Sequence, residues 1–170
     1  MNWQTIPGAA LDIQERRWLK DTAEKIAIRF ENPILVNIGN YRGASLHCLR
    51  AGAPGGVLIG IDIKPSKIRL EKLLRAEIII ADSTVCHCDF KRNIHFLFVD
   101  GDHSYEIITQ DIANWTPKVV SGGIIAFHDY TLPPPRFCVG QALDEWIKSR
   151  ASKSWMNISA AGSIKAFERY

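Results

Sequence analysis

The amino-acid sequence predicts an α/β fold in which helices cover both faces of a mostly parallel β-sheet. Short apolar runs alternate with helical patterns along the chain, and such alternation builds parallel sheets. The runs are continuously apolar, which is typical of strands buried on both faces. Two further strand-like runs flank Gly162-Ser163. They predict a terminal hairpin, which brings one antiparallel strand into the sheet.

The first half of the chain alternates helices with short strands. Its predicted elements are a helix (9–31), a strand (34–38), a helix (42–50), a strand (57–61) and a helix that starts at Pro65. Apolar residues recur at helical spacing in the first helix, and Pro33 ends it. The first strand breaks at Gly39, and a turn rich in glycine and proline over 52–56 precedes the second strand. Proline suits the first position of a helix.

The second half continues the same alternation and then ends in the hairpin. Its predicted elements are a strand (78–80), a strand (94–99), a helix (105–115), a strand (124–127), a helix (139–147) and two hairpin strands (155–161 and 164–169). Pro117 and Gly122-Gly123 lead into the strand at 124–127, and Pro133-Pro134-Pro135 separates it from the last helix. No internal repeat or linker interrupts this order.

Length and composition are those of one globular domain. The 170 residues fit a single core, so residues 1–170 are predicted to form one domain, with an amino-terminal helix (1–32) and a core (33–170). A net charge of +3 gives no reason to expect nucleic acid as a partner. We expect neither a signal segment nor a membrane span, because no long apolar stretch is present. The expected location is therefore the cytoplasm.

The four cysteines predict neither disulfides nor a zinc site. They stand at 48, 86, 88 and 138, without a disulfide framework. Cys86-His87-Cys88 differs from the usual zinc spacing of two residues between cysteines, and no second pair follows.

Ionisable residues follow two of the predicted strands directly. The strand at 94–99 runs into Asp100, and His103 follows three residues later. The strand at 124–127 ends in His128-Asp129. Open α/β sheets bind ligands at the carboxyl ends of their strands. Asp100 and His103 are close enough to serve one site, as a metal ligand and a base.

A second group of strand ends has the pattern of a nucleotide site. The first strand leads through Gly39 to Gly43 into a helix, whose amino terminus offers free N–H groups. Asp62 follows Gly43 at about the 20-residue offset at which an acid binds ribose hydroxyls. Asp82-Ser83, after the third strand, could reach an adenine amino group, or Asp82 could cap the next short helix. The turn lacks the complete glycine pattern of dinucleotide sites, which argues against a nicotinamide cofactor.

Four segments together resemble the class I S-adenosylmethionine-dependent methyltransferases, and most closely the small family of macrocin O-methyltransferase-like and cephalosporin-hydroxylase-like proteins. These segments cover residues 37–45 (NIGNYRGAS), 60–63 (GIDI), 98–106 (FVDGDHSYE) and 122–130 (GGIIAFHDY). The resemblance extends from about Ile34 to Tyr170. It implies a Rossmann-like sheet of seven strands in the order 3-2-1-4-5-7-6, with strand 7 antiparallel.

The resemblance also assigns roles to residues. The residues implied to bind S-adenosylmethionine are Asn37, Gly39, Asn40, Tyr41, Ser45, Asp62, Asp82, Ser83 and Asp100. Those implied to hold a divalent cation, Mg²⁺ or Mn²⁺, are Asp100, Asp129 and, with less support, His128. His103 matches the general base of the relatives, and an imidazole can accept a proton near neutral pH.

The resemblance implies O-methylation of a hydroxylated small molecule or sugar, assisted by a divalent cation. One residue departs from the family pattern: Asn37 stands where relatives have Glu, which removes a negative charge near a cationic sulfonium. Two alternatives stay open, a non-catalytic cofactor-binding protein of the same fold and a nicotinamide-dependent dehydrogenase. The exposed-looking first helix makes a homodimer plausible.

Overall fold

A computed structural model describes residues 2–5, 10–65 and 70–170 of the chain. Its strands are β1 (Ile34–Ile38), β2 (Val57–Asp62), β3 (Glu77–Ile80), β4 (Ile94–Val99), β5 (Val119–Phe127), β6 (Trp155–Ile158) and β7 (Lys165–Arg169). Its α-helices are α1 (Ile13–Arg29), α2 (Ala44–Gly52), α3 (Leu70–Leu74), α4 (Ser83–Cys86), α5 (Tyr105–Trp115) and α6 (Val139–Lys148). Short 3₁₀ turns cover Trp3–Thr5, Thr116–Lys118 and Arg150–Ser154.

The seven strands form one sheet in the order β3-β2-β1-β4-β5-β7-β6. Neighbouring strands from β3 to β5 are parallel, and β7 is antiparallel to both β5 and β6. The predicted fold class and strand order are therefore confirmed.

Two hydrophobic layers hold helices against opposite faces of the sheet. One layer joins Leu19 and Ile26 of α1, together with α2 and α3, to one face of the strands. The other layer joins Trp115 of α5 and Leu143 of α6 to the opposite face. Successive strand residues point to opposite faces, so each central strand contributes to both layers and reads as a continuous apolar run.

Several element ends differ from the sequence predictions. The first predicted helix covered 9–31, but α1 begins at Ile13, because Asp12 caps it through hydrogen bonds from the backbone N–H groups of Gln14 and Glu15. Residue 9 and residues 66–69, after the predicted helix start at Pro65, lie outside the described part of the chain. β5 begins at Val119 and continues through Gly122-Gly123, where the register with β4 shifts. Glycine at a positive φ permits this irregularity.

The register brings the ends of four strands to one level. Ile38 is paired with both Ile61 and Val99, and Val99 with Phe127. Each ladder continues by one backbone hydrogen bond, from Gly39 N to Ile61 O, from Asp100 N to Ile38 O and from His128 N to Val99 O. The first residue after each strand is thereby fixed at the same edge of the sheet.

Candidate active site

A cavity of about 910 Å³ opens at this edge, above the ends of β1, β2, β3 and β4. Its lining includes six of the residues predicted to bind a cofactor, namely Gly39, Tyr41, Asp62, Asp82, Ser83 and Asp100. Three others, Asn37, Asn40 and Ser45, are buried and lie behind the described lining.

Gly39 lets the loop after β1 pass against the loop after β4. Its φ is +87°, and a Cβ atom at this position would lie 1.9 Å from the carbonyl oxygen of Asp100. No side chain fits there, and the positive φ adds strain for any residue with a Cβ. The mouth of the cavity between β1 and β4 therefore depends on glycine at this position.

Asn37 supports this turn from below. Its Nδ2 donates to Gly39 O at 2.8 Å and to Asn40 Oδ1 at 3.1 Å. The side chain is fully buried, and its Oδ1 has no hydrogen-bond partner among the described residues. The amide donors of Asn37 are used to shape the turn, which a glutamate at this position could not do in the same way.

Asp62 joins the loops after β1 and β2. Its Oδ2 accepts hydrogen bonds from Asn40 N at 2.7 Å and Tyr41 N at 3.2 Å, and its Oδ1 accepts one from Lys64 N at 2.9 Å. The carboxylate still lines the cavity. It is held rigidly by backbone donors, in a position where a ligand hydroxyl could reach its remaining lone pairs.

Asp82 and Ser83 lie at the β3 end of the cavity. Asp82 caps α4, because its Oδ1 accepts hydrogen bonds from Thr84 N at 2.8 Å and Thr84 Oγ1 at 2.7 Å. Both residues also line the cavity. The prediction that Asp82 caps the next short helix is therefore confirmed. The cap uses only Oδ1, so Oδ2 can accept a hydrogen bond from a ligand.

Asp111 is a buried carboxylate beneath this end of the cavity that the sequence analysis did not single out. It is 1% exposed, and neither side-chain oxygen has a hydrogen-bond partner in the described part of the protein. Burial raises its pKa to about 6, against a lowering contribution from Ser83, and the neighbouring Asp82 and Asp102 carboxylates add to the rise. Its position on the apolar face of α5, three residues after Ile108, was a signal available in the sequence.

A compact group of ligand atoms lies where β4 and β5 end. Among the described residues, Asp100, His103 and Asp129 form the group of three whose potential metal-binding atoms all lie within 4.8 Å of one another. His103 Nε2 is 2.9 Å from Asp129 Oδ2 and 3.9 Å from Asp100 Oδ1. This buried nitrogen has no partner of good hydrogen-bond geometry in residues 10–65 or 70–170. Two carboxylates and an imidazole nitrogen without a hydrogen bond are a donor set that fits a divalent cation.

The charges of this group shift the pKa of each partner. The carboxylates of Asp100 and Asp129 raise the pKa of His103 to about 9. Burial favours the neutral form of Asp129, but His103 and His128 outweigh it and hold its pKa well below the usual range. Without a cation, His103 is therefore protonated at neutral pH, and a cation would compete with that proton for Nε2.

His128 lies beneath the two aspartates. Its Nδ1 is 3.1 Å from Asp100 Oδ1 and 3.2 Å from Asp129 Oδ1, and its Nε2 is 3.2 Å from Glu15 Oε2. Burial disfavours the charged ring, but hydrogen bonds to these three carboxylates raise its pKa to about 12. Carboxylates only accept hydrogen bonds, so His128 is held as an imidazolium with both nitrogens occupied. The structure brings the two aspartates together with His103 as predicted, and it gives His128 a supporting position.

Glu15 is the member of this network that the sequence analysis missed. It is 4% exposed and lies on α1. Burial favours its neutral form, but His128 and the backbone N–H groups of Ser163 and Asp12 lower its pKa to about 2. The spacing of Asp12 and Glu15 is a capping-box signal that predicts a helix start. Nothing in it indicates a contact with His128.

The loop after β5 closes over His103. Cys138 N donates to His103 O at 2.8 Å, and the rings of Phe137 and His103 meet edge to face at 5.0 Å. The guanidinium of Arg136 lies 5.3 Å from the Phe137 ring centroid. The loop thus forms one wall beside the reactive group.

No cluster of three potential metal ligands in the described residues includes the cysteines, and all four cysteines are free. None of the helices that the structure describes combines the length and apolarity needed to cross a membrane.

The seven-stranded sheet with its antiparallel β7, and the acids at the ends of its parallel strands, define an α/β domain of the class I methyltransferase type. Comparison with protein families agrees: residues 36–130, more than half of the chain, match a family model described as a methyltransferase domain. The chain belongs to this methyltransferase family. The resemblance seen in the sequence is confirmed, and the nicotinamide-dependent dehydrogenase alternative loses its support.

Solved structures share the fold at low sequence identity. The chain is similar to the O-methyltransferase NovP, with a TM-score of 0.77 and 16% identity over 95% of this chain and 81% of that chain. A cofactor-bound protein from MTB, Rv0187, has a TM-score of 0.75 and 16% identity over 98% and 84%. MycE from the mycinamycin biosynthetic pathway, in complex with Mg and SAH, has a TM-score of 0.71 and 17% identity over 98% of this chain. The chain spans only 52% of MycE.

Proposed function

We propose that this protein is an O-methyltransferase that uses S-adenosylmethionine and a divalent cation to methylate a hydroxyl group of a small molecule or sugar. One observation carries the proposal. Asp100 both lines the large cavity and belongs to the group of potential metal ligands. A cofactor in the cavity and a substrate at the cation would therefore meet at this residue, as methyl transfer between them requires.

The cofactor would lie along the cavity from β4 to β3. The turn at Gly39 and the Asp100 backbone would hold its methionine part, since two backbone segments approach closely at this point of the cavity lining. Asp62 would accept hydrogen bonds from the ribose hydroxyls. Asp82 and Ser83 would face the adenine edge. Asn37, Asn40 and Ser45 would act from behind the lining, by shaping the turn and the start of α2.

The cation would be held by Asp100, Asp129 and His103 Nε2. When bound, it would lower the pKa of the acceptor hydroxyl, which is otherwise a poor nucleophile. Three nearby carboxylates exceed the two protonated rings of His103 and His128 in charge, and this excess of negative charge favours a cation, which would displace the proton of His103. A nitrogen ligand beside two carboxylates favours Mn²⁺ or another transition metal more than an all-oxygen set would. His128 would hold the two aspartates rather than bind the cation itself.

His103 could instead be the general base, as the family resemblance implies. The two roles make different demands on Nε2, because a ligand uses the lone pair that a base needs for the proton. The convergence of Nε2 with the carboxylates of Asp100 and Asp129, within 4.8 Å of one another, favours the ligand role.

The proposed substrate class follows from the relatives. NovP is an O-methyltransferase, MycE has been captured with Mg, SAH and mycinamycin VI, and CalS11 is a TDP-rhamnose 3'-O-methyltransferase. These proteins support a hydroxylated acceptor, and sugars are the first compounds to test.

Calorimetric titration of S-adenosylhomocysteine, with and without Mn²⁺ or Mg²⁺, tests the cofactor and the metal. We expect saturable cofactor binding in wild type and Mn²⁺ binding that Asp129→Asn weakens at least about 100-fold, because a charged ligand is lost. Asp89→Asn, at an exposed position, is the matched control. Absence of cofactor binding would remove the basis of the proposal, and equal Mn²⁺ affinity in Asp129→Asn would remove the metal site.

His103→Ala separates the ligand role from the base role. The ligand role predicts that Mn²⁺ affinity falls together with turnover. The base role predicts loss of turnover with unchanged Mn²⁺ affinity, and unchanged turnover would exclude both roles.

A further inference from the structure

Glu15 lies on the amino-terminal helix, yet its carboxylate is buried beneath the ends of β4 and β5. We infer that Glu15 is a positioning residue for the two metal-binding aspartates, acting on Asp129 from two sides. The inference rests on the proposed metal-assisted function. It extends that function, because α1 and the β6–β7 hairpin would help to position the metal-binding aspartates.

The first connection runs through side chains. Glu15 Oε2 contacts His128 Nε2 at 3.2 Å, and the opposite ring nitrogen contacts Asp100 and Asp129 at 3.1 and 3.2 Å. The His128 ring therefore bridges Glu15 and both aspartates. A ring held at both nitrogens cannot rotate without breaking these contacts, so Glu15 fixes the direction in which the aspartate oxygens point.

The second connection runs through the turn of the terminal hairpin. Glu15 Oε1 accepts hydrogen bonds from Ser163 N at 2.8 Å and from Ser163 Oγ at 2.9 Å. Ser163 Oγ in turn accepts a hydrogen bond from Asp129 N at 3.2 Å, and Ser163 O accepts one from Tyr130 N at 2.9 Å. Ser163 is thus clamped between Glu15 and the backbone of Asp129.

This clamp acts on a strained residue. Asp129 has a φ of +59°, in the left-handed region, which non-glycine residues enter at a cost and keep only where the surroundings hold them. Both backbone N–H groups that follow His128 are held by Ser163. The conformation that directs the Asp129 carboxylate toward His103 therefore depends on contacts that Glu15 completes.

Helix capping alone does not account for these contacts. The capping box uses Glu15 Oε2, which accepts from Asp12 N at 2.9 Å and also faces His128 Nε2 at 3.2 Å. The contacts to His128 and Ser163 serve no part of α1. Residues that orient metal ligands from behind typically contribute about 10- to 100-fold to metal affinity, and a loss of this size is expected when Glu15 cannot hold His128.

Glu15→Gln tests the first connection. The amide keeps an oxygen for Ser163 but replaces Oε2, the acceptor for both His128 Nε2 and Asp12 N, by an N–H donor. Loss of the His128 contact should lower Mn²⁺ affinity about 10- to 100-fold, whereas loss of the cap contact should lower only the melting temperature. The affinity for S-adenosylhomocysteine should change less than about twofold, because Glu15 does not line the cavity. Glu24→Gln, on the exposed side of the same helix, is the matched control and should change neither affinity.

Ser163→Ala tests the second connection and covers the case in which Glu15→Gln does not fold. It removes the hydroxyl between Glu15 and Asp129 N. Mn²⁺ affinity should fall about 3- to 10-fold, which is less than in Glu15→Gln, because the contact between Glu15 and His128 is kept. Ser159→Ala, at an exposed position of the same hairpin, is its control. Both affinities are measured by calorimetry well below each variant's melting temperature.

The outcomes separate the inference from the proposed function. Selective loss of Mn²⁺ affinity in either variant, with cofactor affinity kept, supports a positioning role, because a purely structural role lowers the melting temperature without this selectivity. Wild-type Mn²⁺ affinity in both variants overturns the inference and leaves the proposed function intact. Absence of Mn²⁺ binding in wild type overturns the metal-assisted function, and the inference with it.

Discussion

One edge of the sheet contains two regions that are built in different ways. The ends of β1, β2 and β3, with Gly39, Asp62 and Asp82, form the half that is proposed to bind the cofactor, called the cofactor half. The ends of β4 and β5, with Asp100, His103, His128 and Asp129, form a reactive half. In the cofactor half, carboxylates are held mainly by backbone N–H groups of nearby loops. In the reactive half, charged side chains hold one another.

The two halves differ in how far they depend on the rest of the chain. The contacts of Asp82 and Asn37 reach two or three residues along the sequence. The contact between Glu15 and His128 joins residues 113 apart, and that between Glu15 and Ser163 joins residues 148 apart. The side-chain hydrogen bonds of the cofactor half thus join residues at most 22 apart, whereas the reactive half needs α1 and the β6–β7 hairpin docked on the sheet.

The largest expected effect comes from Gly39→Ala. The new Cβ would overlap the Asp100 carbonyl oxygen at 1.9 Å, and backbone atoms on both sides would have to move. We expect a loss of at least about 100-fold in S-adenosylhomocysteine affinity and a destabilisation of several kcal/mol. Because the displaced carbonyl belongs to Asp100, a residue of the reactive half that also lines the cavity, Mn²⁺ affinity should fall as well. Calorimetry and urea denaturation measure these changes.

Gly55→Ala is the control for this substitution. A Cβ at Gly55 meets no atom within 4 Å in the described structure, so affinity and stability should stay near wild type. Equal behaviour of the two variants would mean that the close approach of the β1 and β4 loops does not form the cofactor half.

Gly162→Ala should disturb the reactive half alone. Gly162 has a φ of +59°, and a Cβ there would lie 2.4 Å from Glu15 Oε1. The Glu15 side chain is fixed by its other contacts and cannot move freely. We expect Mn²⁺ affinity to fall about tenfold and stability to fall by about 1–3 kcal/mol, with cofactor affinity unchanged. A comparable loss of cofactor affinity would contradict the separation of the two halves.

The sequence predicted the cofactor half better than the reactive half, because the signals for the cofactor half are close together in the sequence. Asp62, Asp82 and Gly39 were found from strand ends and turn chemistry, which are local signals, and the sheet order followed from the family resemblance. Glu15 was missed because its partners are distant in sequence and its local pattern describes only a helix cap. The roles of His103 and His128 stay predictions, because the residues that surround each histidine in the sequence do not tell which ring faces a ligand and which one faces the core.

Asn37→Asp tests the cofactor half more gently. Replacing the amide by a carboxylate removes the N–H donor to Gly39 O and Asn40 Oδ1. A carboxylate oxygen then faces these two acceptor oxygens. Unmatched buried polar groups cost about 1–3 kcal/mol, and the turn at Gly39 should loosen. We expect a drop of about 3- to 10-fold in S-adenosylhomocysteine affinity, in line with that cost, and an unchanged Mn²⁺ affinity. Asn93→Asp, at an exposed position, is the control.

If Asn37→Asp instead binds the cofactor more tightly, the charge that relatives carry at this position matters more than the support of the turn. The two explanations for Asn37 thus predict opposite signs of the change in affinity.

Asp111→Asn has the smallest expected effect on binding, and it acts on stability in a pH-dependent way. The pKa of Asp111 rises from 3.8 to about 6 on folding, so the folded protein favours the protonated carboxyl. This favourable contribution is complete below about pH 4 and is lost as the pH rises through about 6. At pH 8 a charged carboxylate stays buried under the β3 end of the cavity, where it lowers the free energy of unfolding.

We therefore expect Asp111→Asn to be more stable than wild type by about 1–2 kcal/mol at pH 8 and equal to it near pH 4, as measured by urea denaturation at both pH values. Asp89→Asn should show no such pH-dependent gain, because Asp89 is exposed. Unchanged Mn²⁺ and cofactor affinities would mean that the buried Asp111 charge lowers the stability of the cofactor half and has no role in binding. If the stabilised variant loses cofactor affinity, the Asp111 carboxylate contributes to cofactor binding. Both halves would then use buried charge to hold their ligands.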